Sequence, residues 1–193
     1  MCIRDRRELV TLMTLGAAPE ALTLGYLRNQ RLVQAIEEIV AIHVDWSKHA
    51  VFVTTRDGIA NIEERTAKRV VTTGCGQGTM FGGLMDEVDS IVLPPDARLK
   101  QSTLYKIVNT IRTQDSAYAK AGSVHGCGLF SSEGDLQYSI EDVGRHNAVD
   151  SIAGIMWLEN ISGADKVFYT TGRLTSEMAV SYTHLTLPTS DLV

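Results

Sequence analysis

At 193 residues, with 44% hydrophobic and 21% charged residues, the chain has enough apolar sequence for one core and is expected to form one domain. A net charge of −5 offers no basic footprint for nucleic acid, no apolar run approaches the ~18 residues that cross a bilayer, and three cysteines are too few for a disulfide framework. Neither a nucleic-acid nor a membrane partner is expected, and with no apolar signal core near Met1 the expected compartment is the cytoplasm.

The two ends stand apart from the rest. Residues 1–6 (MCIRDR) and 181–193 (SYTHLTLPTSDLV) resemble translated sequencing-adaptor read-through and are set aside as non-native, which leaves Cys2 and His184 without meaning. The expected domain is 7–180, incomplete at its C-terminal side because the helix signal Thr175-Ser-Glu-Met-Ala-Val180 stops after barely one turn.

Glu8 to Leu15 is a β-rich run broken by Gly16-Ala-Ala-Pro19, and Pro19 suits the first turn of a helix reaching about Asn29. Ile36 to Trp46 alternates, with Ile36, Val40, Ile42, Val44 and Trp46 on one face. Ala50 to Thr55 follows across a short turn, so the pair predicts an antiparallel hairpin with His43 and His49 solvated. Asp57 to Arg69 carries no clear signal. A short extended segment, Arg69 to Thr72, then enters the glycine-rich stretch Thr72 to Gly83. Cys75 sits there between Gly74 and Gly76, either as a small packed residue or as an accessible thiol whose neighbouring backbone N–H groups favour thiolate.

After the break at Pro94-Pro95-Asp96, Leu104, Ile107, Val108 and Ile111 recur at helical spacing behind a Ser102 cap, and a short helix is expected over Ser116 to Lys120. Gly122 to Phe130 and Leu136 to Ile140 read as strands joined at Glu133-Gly134-Asp135. The second strand runs into Glu141-Asp-Val-Gly-Arg-His-Asn-Ala-Val-Asp150. Asn147 and Asp150 have capping-box spacing before a helical stripe of Ala148, Ile152, Ile155 and Met156. Lys166 to Thr171 is a further strand, followed by Gly172-Arg173-Leu174 and a Thr175 cap.

Polar groups therefore gather at two strand-to-helix junctions, where α/β sheets bind ligands. A capping box does not need Arg145 and His146 beside it, and Gly144 permits backbone approach. Arg173 either holds a phosphate beside the Thr175-capped helix or pairs with Glu177. His125 and Cys127 share a strand face; the glycines around Cys127 indicate a small buried residue, and spacing alone makes His125 a core histidine.

Ile140 to Asp150 resembles the signature of the formate dehydrogenase accessory sulfurtransferase family (FdhD). Leu24-Gly25-Tyr26-Leu27, the Thr72 to Gly78 loop, Ser123 to Phe130 and Thr171 to Met178 fall in the family's order, so the likeness covers residues 8 to 180. The resemblance implies an enzyme, a sulfurtransferase that takes persulfide sulfur from a cysteine desulfurase. It would pass that sulfur to the molybdenum or tungsten bis-molybdopterin guanine dinucleotide cofactor of formate dehydrogenase, with no tightly bound metal of its own. It implies a three-layer, cytidine-deaminase-like α/β fold with a mixed sheet and an N-terminal hairpin region, usually as a homodimer. By motif position Cys75 carries the persulfide, and His125, Asp142, Arg145, His146, Asn147, Gly172, Arg173 and Thr175 are the cofactor-binding candidates. Many family members have Cys-x-x-Cys where this chain has Cys75-Gly-Gln-Gly78, so Gly78 supplies no resolving thiol and a one-cysteine carrier is what the motif leaves. Two alternatives are a non-catalytic cofactor chaperone and a zinc hydrolase of deaminase type. The zinc reading finds thiolates and imidazoles in Cys75, His125, Cys127 and His146 but lacks the His-x-Glu and Pro-Cys-x-x-Cys that the chemistry needs.

Overall fold

The computed structural model describes residues 2–4, 7–59 and 98–173. The Cys75 loop and the segment leading into it, the proline break, Thr175 and the helix signal after it lie outside the described residues.

The described chain is mixed α/β with two sheets. Strands β1 (Cys2–Arg4), β2 (Arg7–Val10), β3 (Ile39–Asp45) and β4 (Ala50–Thr55) form one in the order β2-β1-β4-β3, mixed because β1 and β4 run parallel. Residues 2–4, set aside above, thus join β2 to β4, with Cys2 opposite Val10 on one side and Val51 on the other. Strands β5 (His125–Ser131), β6 (Leu136–Asp142) and β7 (Lys166–Thr170) form a second, antiparallel sheet in the order β6-β5-β7.

Helix α1 (Pro19–Asn29) packs on the first sheet through Tyr26 and Leu27, against Val51 and Val53; α4 (Arg145–Leu158) packs on the second through Val149, Ile152 and Met156, against Cys127 and Leu129. The two helices also lie on each other, so both are buried on nearly every face and neither shows a strong amphipathic pattern. Their backbones touch. A Cβ built on Gly25 would stand 1.6 Å from the Asp150 carbonyl oxygen, and one on Gly154 would stand 1.8 Å from that of Ala21. Only glycine fits at those two positions, which gives Gly25 a packing reason for its place among the recognisable motifs.

Pro19 begins α1 as its fixed φ and missing N–H favour. The short helix expected over Ser116 to Lys120 is α3 (Ala117–Ala121), where Ser116 accepts a 3.0 Å bond from the Ala119 N–H as its cap. Two expectations are corrected. The alternation of Ile36 to Trp46 is broken by a bulge between Ile39 and Ala41, so Ile39 joins Ile42 and Val44 on the core while Val40 is 62% and Trp46 64% exposed. In α2 (Gln101–Thr113) Lys100, not Ser102, is the N-cap; Thr103 and Ile107 are the buried residues and Leu104 is exposed. That face turns inward because the tight turn at Gly134 (φ 81°) rises against it, within 3.1 Å of the Thr103 methyl measured from where a Cβ would be. Among the described residues no helix is long and apolar enough to cross a membrane.

Candidate functional site: a basic corner at two strand ends

The antiparallel register sets His125, the first residue of β5, opposite Asp142, the last of β6. On the other edge β7 pairs with β5, so the chain leaving β7 at Thr171 arrives beside the start of α4. Side-chain clips hold that exit in place. The Gly126 N–H donates to Thr171 Oγ1 at 2.9 Å, the Thr171 N–H donates to the Gly126 carbonyl at 2.9 Å, and the Gly172 N–H donates to Thr170 Oγ1 at 3.0 Å. A Cβ on Gly172 would come within 3.1 Å of the Arg145 Cβ, so the missing side chain is what lets this loop press on the first residue of α4.

His125, Arg145 and Arg173 consequently share one corner. The His125 imidazole is pushed below its ordinary pKa, first by burial and then by the positive charges of Arg145 and Arg173. Its Nδ1 is buried and has no hydrogen-bond partner among the described residues. His146 follows Arg145 on the first turn of α4, and Arg173 is exposed at the rim. Two guanidinium forks, a neutral imidazole and the N-terminal end of a 14-residue helix favour an anionic ligand bearing oxygen acceptors.

Asp142 and Asn147 are tied into the protein itself. Asp142 is 3% exposed and both its oxygens are taken. Oδ1 accepts from the Gly144 N–H (2.9 Å) and Asn147 Nδ2 (2.8 Å), while Oδ2 accepts from the Leu15 N–H (3.1 Å) and the Thr14 hydroxyl. Asn147 Nδ2 donates as well to the Met13 carbonyl at 2.7 Å. These two side chains fasten the segment after β2 to the junction and so position the corner. The capping box is corrected too: α4 begins at Arg145 with Gly144 as its N-cap, because Asp142 has already taken the Gly144 N–H and Asn147 acts as a donor. Asp150 is buried against α1, where Asn29 Nδ2 donates to its Oδ1 at 2.7 Å; burial pushes its carboxyl up to about 7 against that bond.

Glu141 turns to the opposite face, where its carboxylate accepts from the N–H groups of Ala117 and Tyr118, both at 2.7 Å, and holds the start of α3. Cys127 is the buried residue its glycine neighbours indicate. It is 1% exposed, its thiol lies 3.5 Å from Thr170 Oγ1, and burial pushes it up to about 12. A thiol buried and protonated in this way is a poor nucleophile at neutral pH. Cys75 and Thr175 lie outside the described residues. The parts that sequence reasoning missed are Met13, Thr14 and Leu15, more than 120 residues from their partners, for which no local signal exists.

Fold and corner together define a class, a mixed α/β protein with an anion-accepting basic site where a strand exit meets a helix start. The chain belongs to the FdhD/NarQ family, whose pattern it matches over residues 2–189. It is similar to the sulfur carrier protein FdhD of Bacillus pumilus, 27% identical over 176 residues that cover 91% of this chain and 67% of that protein. It is similar to the protein of the same name from Wolinella succinogenes, 24% identical over 173 residues, covering 90% of this chain and 60% of that protein. Among solved structures it resembles a protein from Desulfotalea psychrophila described as a formate dehydrogenase accessory protein, with a TM-score of 0.72 and 26% identity over 95% of this chain and 68% of the other. The chain thus spans between 60 and 68% of the length of these relatives.

Proposed function

We propose that this chain is a sulfur carrier acting as a sulfurtransferase. The Cys75 thiolate attacks the outer sulfur of a cysteine desulfurase persulfide, the desulfurase thiolate leaves, and Cys75 holds the sulfur as its own persulfide. The sulfur then goes to a bis-molybdopterin guanine dinucleotide bound as substrate, in support of formate dehydrogenase. The observation that carries this reading is the corner where His125, Arg145 and Arg173 converge beside the close-packed Gly172. A diphosphate needs paired forks and a helix N-terminus, and the corner supplies both. His125, whose neutral ring can donate one N–H, and His146 face the same anion, and Asp142 and Asn147 keep the geometry. The family and the names its relatives carry support the sulfur-carrier reading. A cytidine-deaminase-like arrangement of the complete domain, a homodimer and a cytoplasmic location complete the proposal.

The test is transfer of radioactive sulfur from labelled cysteine and a cysteine desulfurase. Label that is released by reductant and maps to Cys75 is expected, with none on Cys75→Ala. A folded protein that takes no label, or a Cys75→Ala variant that still supports formate dehydrogenase, replaces the relay with a cofactor chaperone. Binding of guanosine diphosphate as a surrogate should weaken by about tenfold or more in Arg145→Ala and in Arg173→Ala, since each removes a charge-assisted bond.

A further inference from the structure

On the far side of the segment after β2 lies a cavity of about 300 Å³, enclosed by α1, by residues 10–16 and by the end of the β3–β4 hairpin. Its size is at the lower end of small-molecule pockets. Leu22, Tyr26 and Val51 line it from the core, each under a tenth exposed, while Leu15 (52% exposed) and Trp46 (64% exposed) flank its opening. Gly16 leaves room beside the Trp46 ring, whose edge is 3.9 Å from where a Cβ would stand.

The side chains with polar atoms on this wall differ in what they have to do. Asp45 is occupied by Ser47 and Lys48, at 2.6 and 2.8 Å, Thr14 donates to Asp142, Tyr26 and His49 have partners of their own, and Trp46 stands exposed at the opening. Thr23 is only 5% exposed, lines the cavity and makes no hydrogen bond among the described residues. One uncommitted hydroxyl in an apolar chamber is a poor host for water, which needs two to four polar partners, and a good host for a flat apolar body with one hydrogen-bonding group.

We propose that this cavity binds a small aromatic molecule carrying a single hydrogen-bonding group, seated between Trp46 and the α1 face, with its polar group on the Thr23 hydroxyl. The inference is independent of sulfur transfer, although the wall residues Thr14 and Leu15 are the ones that grip Asp142, so an occupant sits one loop from the basic corner.

The test is a methyl NMR titration of the full chain with indole, and with indene as a partner of the same shape without the N–H. Saturable shifts of the Leu22 and Val51 methyls are expected, with indole bound about fivefold more tightly than indene. In Thr23→Val, which keeps the shape, that preference should vanish while indene binding persists; in Ala50→Phe, which grows a ring from the hairpin wall, both should be excluded. Absence of saturable shifts at the cavity methyls, or an indole preference that survives Thr23→Val, overturns the proposal. So does a cavity that answers only to a partner protein and not to indole.

Discussion

Replacing Gly25 by alanine ordinarily stabilises a helix interior, by roughly 0.5–1 kcal/mol, because glycine loses more backbone freedom on folding. In α1 the sign should reverse. The new Cβ would lie 1.6 Å from the Asp150 carbonyl oxygen and 2.5 Å from its carbon, against a floor near 3.0 Å for real contacts, so α1 and α4 must part by about 1.4 Å. Both obstacles are helix backbone and cannot rotate aside. The separation also loosens the Asn29–Asp150 bond and the cation–π contact of Arg28 with Trp157, now 5.7 Å from the ring centre. Overpacking of this kind costs about 3 kcal/mol or more, well beyond the propensity gain. With a urea slope of ~2 kcal/mol per molar, the unfolding midpoint should fall by about 1–1.5 M, followed by circular dichroism and tryptophan fluorescence. An unchanged or higher midpoint in Gly25→Ala would refute the close crossing of α1 on α4, since propensity alone would then decide the outcome.

Asp142→Ala should leave four donors from three segments without their acceptor and cost about 3 kcal/mol, seen as a fall in Tm of about 6–12 °C; a fall below 2 °C would mean the clamp is not structural. Because the folded Asp150 carboxyl sits at about 7 against an ordinary 3.8, the folded state binds the extra proton between those values. Stability should therefore decline as pH rises from about 4 to about 7, by at most about 4 kcal/mol, and Asp150→Asn should flatten that slope in urea titrations across the range. Iodoacetamide at about pH 8 should leave Cys127 unmodified in the folded protein and alkylate it after guanidinium unfolding, read by peptide mass mapping; rapid native labelling would contradict its burial.

Features whose causes are local could be read from the chain. Pro19 opening α1, the short helix α3, the β3–β4 and β5–β6 hairpins and the burial of Cys127 each follow from residues within a few positions. Local reading failed where a distant element competed for the same group. Val40 turned outward at a bulge imposed by pairing with β4, and Ser102 lost the cap to Lys100 as the Gly134 turn chose which face of α2 to cover. Asn147 became a donor because Met13 and Asp142 were there to receive it.

By itself the amino-acid sequence determined which short stretches become helix or strand, placed Arg145, His146 and Arg173 at two strand exits, and carried the motif order that marks the family. Only the tertiary structure decided that the two exits are one corner, through β5 pairing with both β6 and β7, and that Asp142 serves as a clamp. The physical reason is that spacing governs groups a few residues apart, whereas contacts between residue 14 and residue 142, or between the backbones at Gly25 and Asp150, exist only once helices and sheets have stacked.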